Sequence, residues 1–214
     1  EDLRLRFTGS MYMNNNIGRN TLYAGDRAGS RYYGVMEAPG ANLTDNFRSG
    51  RLNPGFSNQV TAIMINAFVK FQGLEFFGTF ETASGRSWDK YMDPDEEIGG
   101  VALTPTRTIT QIGAEVVYRF LKDEQVFVGA RFNSANGEFL NGNRDADGNI
   151  VSTGANRISV AAGWFMTRNL LLKLEYVNQN YDWANTNGDP LGGSDARLHE
   201  GRFGGLMVEA AVSF

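Results

Sequence analysis

Apolar residues recur at every second position through much of the chain, the period of a β-strand whose side chains alternate between two faces. The last segment is the clearest, with Gly204, Leu206, Val208, Ala210, Val212 and Phe214 alternating with Gly205, Met207, Glu209, Ala211 and Ser213. Leu170, Leu172, Leu174 and Tyr176 oppose Leu171, Lys173, Glu175 and Val177, and Ile158, Val160, Ala162, Trp164 and Met166 oppose Ser159, Ala161 and Gly163. Val126, Val128, Ala130 and Phe132 oppose Phe127, Gly129, Arg131 and Asn133, and Ile112, Ala114, Val116, Tyr118 and Phe120 oppose Gln111, Gly113, Glu115 and Arg119. Leu74, Phe76, Gly78 and Phe80 face away from Glu75, Phe77, Thr79 and Glu81, as Ile63, Ile65, Ala67, Val69 and Phe71 do from Met64, Asn66, Phe68 and Lys70. Leu3, Leu5, Phe7, Gly9 and Met11, set against Arg4, Arg6, Thr8 and Ser10, complete the set. Eight strands are predicted, at 3–13, 60–71, 74–83, 106–120, 125–134, 157–166, 170–181 and 203–214.

The connections alternate short and long without exception. Gln72-Gly73, Leu121 to Glu124 and Thr167 to Asn169 are short, whereas 14–59, 84–105, 135–156 and 182–202 are long. An even number of antiparallel strands with short turns at one end and long loops at the other is the topology of outer-membrane barrels. The expected fold is therefore all-β, a single antiparallel transmembrane β-barrel domain over 1–214 with eight strands in this chain. Short periplasmic turns, long extracellular loops and both termini on the periplasmic side of a bacterial outer membrane follow from that topology. Aromatic residues at Phe71, Phe76, Tyr118, Phe120, Trp164 and Phe214, and at Phe132, Tyr176 and Phe203, would form the two interfacial girdles. The competing fold is a soluble β-sandwich, whose strands alternate equally well. Charges on the enclosed face argue against it, because a sandwich core does not tolerate them.

Composition alone would suggest an ordinary soluble domain, with 42% hydrophobic and 21% charged residues. No stretch approaches the roughly 18 apolar residues of a spanning helix, so strands must carry any membrane crossing, and a closed barrel is the form that leaves no backbone group unpaired in hydrocarbon. The absence of cysteine excludes a disulfide framework and thiolate metal sites. A net charge of −4 gives no reason to expect a nucleic-acid partner. The lipid bilayer is the expected surrounding.

If the apolar face meets lipid, the enclosed face carries Arg4, Arg6, Lys70, Arg107, Arg119, Arg131 and Lys173 together with Glu75, Glu81, Glu115, Glu175 and Glu209. Enclosed charges must pair or stay hydrated, so a lumen of cross-strand ion pairs is expected. Eight strands alone enclose an interior that side chains fill, and the bulky Phe68, Phe77, Phe127 and Phe165 fit a plugged lumen.

Three loop features carry candidate chemistry. The connection 14–59 holds Arg19, Arg27, Arg31, Arg48 and Arg51 against Asp26, Glu37 and Asp45, and reads either as a basic constriction folded over or into the mouth that favours anions or as a solvated cap. The next long loop carries Asp89, Asp93, Asp95, Glu96 and Glu97, which read as a clamp on that basic segment or as a solvated surface. Asn143, Asp145 and Asp147 match the first ligands of a calcium loop, followed by Gly148 and Ile150, but Gly154 stands where a bidentate Glu would close it, so an Asp-Gly hairpin tip is the alternative to a Ca2+ site. No other cofactor is expected. His199, the single histidine, has Asp195 and Glu200 nearby but Gly201 where a serine nucleophile two residues on would stand, so no catalytic residues and no enzymatic activity are expected.

Phe214, preceded by Leu206, Val208, Ala210 and Val212 at every second position, resembles the closing-strand signal read by the barrel-assembly machinery. Strand count and loop lengths resemble the small OmpA and OmpX type barrels. The segments Asn20 to Tyr33, Arg51 to Phe56, Gly73 to Gly78 and Gly205 to Glu209 are similar to porin-like outer-membrane proteins of Bacteroidota. That resemblance implies passive passage of small solutes or ions. Members of that family are longer at the N-terminus, which implies that this chain is the C-terminal half of a larger barrel of ~16 strands with an aqueous channel. A complete, filled eight-stranded barrel stays open beside it, and Glu1, lying almost directly on a strand with no signal peptide before it, fits processing or truncation. The alternative function is a structural or interaction barrel that binds an outer-membrane protein partner through its loops or joins a larger complex.

Overall fold

The computed structural model describes residues 3–16, 22–23, 52–87, 104–139, 149–182 and 201–213. Eight strands form: β1 (Arg4–Asn14), β2 (Gln59–Phe71), β3 (Leu74–Arg86), β4 (Arg107–Phe120), β5 (Val126–Gly137), β6 (Thr153–Thr167), β7 (Leu170–Asp182) and β8 (Gly201–Val212). Each pairs antiparallel with the next along the chain, so one sheet runs from β1 to β8 in sequence order. No helix among the described residues is long and apolar enough to cross a membrane.

The short connections are built by local backbone chemistry. Gln72 at φ 47° and Gly73 at φ 82° are both left-handed, as the two-residue turn that matches strand twist requires. A Cβ on Gly73 would run into the carbonyl oxygen of Arg119, whose own amide donates to the Gly73 carbonyl at 2.8 Å. Between β4 and β5 the chain makes one 3-10 turn, Lys122–Glu124, entered through a left-handed Leu121. β6 passes to β7 through Arg168-Asn169, with a register shift between Phe165 and Thr167 and the Asn169 amide donating to the Thr167 hydroxyl at 3.2 Å.

Several strands run further toward the long connections than the alternation predicts. β3 continues to Arg86, β5 to Gly137, and β6 begins at Thr153. The added residues, such as Ser84-Gly85-Arg86 and Thr153 to Asn156, are small or polar on both faces. They leave no alternation to read, while backbone groups pair regardless of side-chain polarity.

The register joins the predicted apolar sets face to face. One outward row runs Leu5, Val69, Phe76, Val116, Ala130, Val160, Tyr176, Leu206 through all seven ladders. This face stands largely uncovered, with Leu5 58% and Leu206 71% exposed. A sandwich would place a second sheet over them, and the described residues contain one sheet only. Among the described residues no ladder joins β1 to β8, and β1 is exposed along both faces.

Gly73→Ala is expected to lower stability by about 1–2 kcal/mol, from the left-handed backbone and the blocked approach of Arg119. The urea midpoint of the refolded protein in detergent measures it, and an unchanged midpoint would show that the turn relaxes freely.

Candidate functional site

Two surfaces of the sheet carry functional information. The first is the outward apolar belt. Moving toward the long connections, its last apolar residue is Met13 on β1, Ile63 on β2, Phe80 on β3, Ile112 on β4, Phe132 on β5, Ile158 on β6, Tyr176 on β7 and Leu206 on β8. On β2 to β8 the next outward residues are Thr61, Thr82, Thr110, Ser134, Asn156, Asn178 and Gly204. In the register Phe80 faces Ile112, Phe132 faces Ile158 and Tyr176 faces Leu206. Between the other pairs the boundary drops by one outward position each time, because Met11 faces Ile63, Ile65 faces Phe80, Ala114 faces Phe132 and Val160 faces Tyr176. The belt therefore crosses the strands obliquely, always in the same sense, through four two-residue steps. At ~3.3 Å per residue and ~4.8 Å between strands, that slope is about 40°. Strands of membrane barrels are tilted by about 35–45° for reasons of closure.

The second surface is the opposite face. Near the short turns it is ionic. Lys70, cross-strand partner of Glu75, contacts that carboxylate at 3.1 Å and Glu124 at 3.5 Å, and Arg119 reaches Glu75 at 3.2 Å. Arg131 binds Glu115 directly across the β4–β5 ladder, and Lys173 binds Glu175 two residues along β7 at 2.7 Å. Arg119 also lies over the Phe127 ring, with its guanidinium carbon 5.5 Å from the centroid. Phe127 in turn covers Gly163, where a Cβ would strike the ring.

Toward the long connections the same face is lined by small residues and covered by chain. Residues 52–58 return from the first long connection and lie against β2, β3 and β4. Phe56 is fully buried with Val60, Ala62 and Ala83, and its ring sits over Gly85, where a Cβ would come within 2.6 Å of it. Arg107, itself buried, donates to the carbonyl oxygens of Pro54 at 2.5 Å and Glu138 at 3.1 Å and to the Ser87 hydroxyl at 2.9 Å, with Phe56 beneath its guanidinium. The Ser87 hydroxyl donates to the Gly55 carbonyl, the Asn58 amide to that of Arg86 at 3.1 Å, and the Gly55 amide to that of Tyr23 at 2.8 Å. Tyr23 then donates its hydroxyl to Glu81 at 2.5 Å. Burial first, and the bond to the Glu81 carboxylate second, push the Tyr23 phenol above its ordinary range.

Of the predicted ion-pair set, the structure brings Lys70, Glu75, Arg119, Glu115, Arg131, Lys173 and Glu175 into contact. Arg107 and Glu81 serve differently from the cross-strand pairing expected of them, as anchors of residues 52–58 and Tyr23, because packed chain rather than open lumen lies over them. Arg4, Arg6 and Glu209 sit on the edge strands, where the structure gives them no oppositely charged partner among the described residues. Leu206, Val208, Ala210 and Val212 lie on the outward face of β8, and Phe214 falls outside the described residues. So do Asn143, Asp145, Asp147, His199, the acidic run from Asp89 to Glu97 and the loop arginines from Arg19 to Arg51. Among the described residues no group of three His, Cys, Asp or Glu is placed to hold a metal. The sequence reading missed Arg157, which pairs with Asn133 and Gln179 on the ionic face. The same two-residue period, continued past Ser159, would have found it.

Gly85→Val is expected to expel Phe56 and to cost about 3–5 kcal/mol, the range for emptying a buried aromatic site. Urea unfolding checks the loss, and protease cleavage within 52–58 checks the release. For Tyr23 the folded state holds the phenolic proton more tightly than the unfolded chain, so its contribution is intact below pH 10 and declines as pH rises above it. The fall in urea midpoint between about pH 9 and about pH 11 should be larger in the parent than in Tyr23→Phe. A scan against protein-family models and searches of curated proteins and of solved structures each found no match.

Proposed function

We propose that this chain forms porin-like wall in a bacterial outer membrane, passing small solutes or ions by diffusion along its ionic face. The oblique apolar belt carries the reading. A half-buried sheet of a soluble protein has no reason to end its apolar side chains along a straight line slanted across eight strands, whereas a flat hydrocarbon slab cut by tilted strands imposes one. The uncovered belt and the polar inner face agree with it.

The edges and residues 52–58 support a ring wider than eight strands. Eight strands enclose little more than their own side chains. Here the enclosed face also accommodates Phe56, Pro54 and Tyr23, while β1 remains exposed on both faces. Further strands beside β1 and β8 would give backbone groups at those edges the partners that hydrocarbon cannot. This is the larger-barrel form of the Bacteroidota porin-like resemblance. The interaction-barrel reading has no observation of its own.

Reconstituted in planar bilayers in its full-length form, the protein is expected to give steady single-channel current. A chain that is soluble and monomeric without detergent, or that inserts and stays silent, overturns the proposal, and silence after insertion favours a partner-binding role. In lipid vesicles Val160→Arg, in the middle of the belt, is expected to lose about 2–4 kcal/mol of folding stability, and Ser10→Arg, on the inner face, is expected to lose little.

A further inference from the structure

We infer that the solutes admitted along the inner face are small anions, selected by the guanidinium groups of Arg157, Arg4 and Arg6. The inference rests on the porin-like reading and adds the sign of the charge that passes.

Three of the five acids of the inner face are paired with a base. Glu75 lies between Lys70 and Arg119, Glu115 is held by Arg131, and Glu175 by Lys173. Opposite charges in contact cancel at a distance, so these pairs contribute little field to a passing ion. Arg157, Arg4 and Arg6 are exposed and have no acidic partner among the described residues, against two acids, Glu209 and Glu81, whose bond from the uncharged Tyr23 hydroxyl leaves its charge in place.

Arg157 is the best placed of the three. It belongs to the row Thr8, Asn66, Thr79, Gly113, Asn133, Arg157, Gln179, whose other members are uncharged. Asn66 donates to Thr8 at 3.3 Å and Thr79 donates to Asn66 at 2.7 Å, so this part of the row holds itself together and places no acid in line with the arginine. Arg131 lies diagonally beside it, opposite Ser159, and keeps 56% of its side chain exposed despite its bond to Glu115. A solute crossing this row therefore meets one uncompensated guanidinium, the donors that Arg131 leaves exposed beside it, and a set of hydrogen-bonding side chains. Guanidinium keeps its charge across the physiological range and presents a fork of donors, the chemistry that favours chloride, phosphate or a small carboxylate over a cation.

The test is the zero-current potential of the reconstituted protein under a KCl gradient. Its sign is expected to report chloride preference, and Arg157→Gln is expected to lower the chloride-to-potassium permeability ratio by about twofold. A unit charge at about 8 Å in water shifts each monovalent ion by about twofold in opposite directions, and screening by physiological salt brings the combined effect on the ratio to about twofold. Arg157→Lys should retain the preference, and Arg4→Gln with Arg6→Gln should lower it further. Current that prefers potassium, or that shows no preference in the parent, overturns the inference while leaving conduction intact. A ratio unmoved by all three substitutions overturns the assignment to these arginines, and absence of any current overturns the porin-like reading itself.

Discussion

Every assignment of an outward or an inward side chain depends on the register of seven backbone ladders. Slipping one ladder by a single residue would turn every side chain beyond it to the other face, putting Val160 or Leu174 on the face that carries Lys70 and Glu75. The slip is opposed from both sides at once, since the apolar and ionic sets each match across all eight strands. Turn geometry fixes the starting point. At the β2–β3 hairpin the left-handed pair Gln72-Gly73 allows only the pairing in which Phe71 meets Leu74, and hence Lys70 meets Glu75. The ion pair is thus a result of the turn as much as of its own attraction.

The inner face divides into two zones by side-chain volume. Close to the short turns, long charged chains and phenylalanines lie flat over glycines, as Phe127 does over Gly163 and Arg119 over Phe127. Close to the long connections, Ala62, Ala83 and Gly85 leave a shallow bed that Phe56 occupies. One buried guanidinium, Arg107, fastens the returning chain to that bed through the carbonyl oxygens of Pro54, just before β2, and Glu138, just after β5. Charge on this wall thus has two roles, balancing charge below and gripping backbone above.

Strand number, order and facing were legible because a two-residue period is a local signal and each of the eight segments repeats it several times. The extensions of β3, β5 and β6 were not, since their residues are polar or small on both faces and only pairing holds them. The ion pairs were legible as a class but not as partners. Lys70 with Glu75 follows from a turn that sequence reveals, whereas Lys173 turning along its own strand to Glu175, instead of across to Glu209, depends on rotamers that no spacing encodes. Phe56 was illegible for another reason. Nothing near it alternates, and its burial depends on Gly85, almost thirty residues further on, lacking a side chain.

The slope of the apolar belt also sets how thick a slab the wall would fit. On β4 the belt runs from Ile112 to Phe120, a rise of eight residues along the strand. Inclined by about 40°, that stretch covers only about 20 Å along the normal. A bilayer with a hydrocarbon thickness near 30 Å would have to thin around such a protein or leave polar groups in contact with acyl chains. As a membrane-spanning wall it would fit a thin hydrocarbon slab, and the mismatch would disfavour its residence in a thicker one.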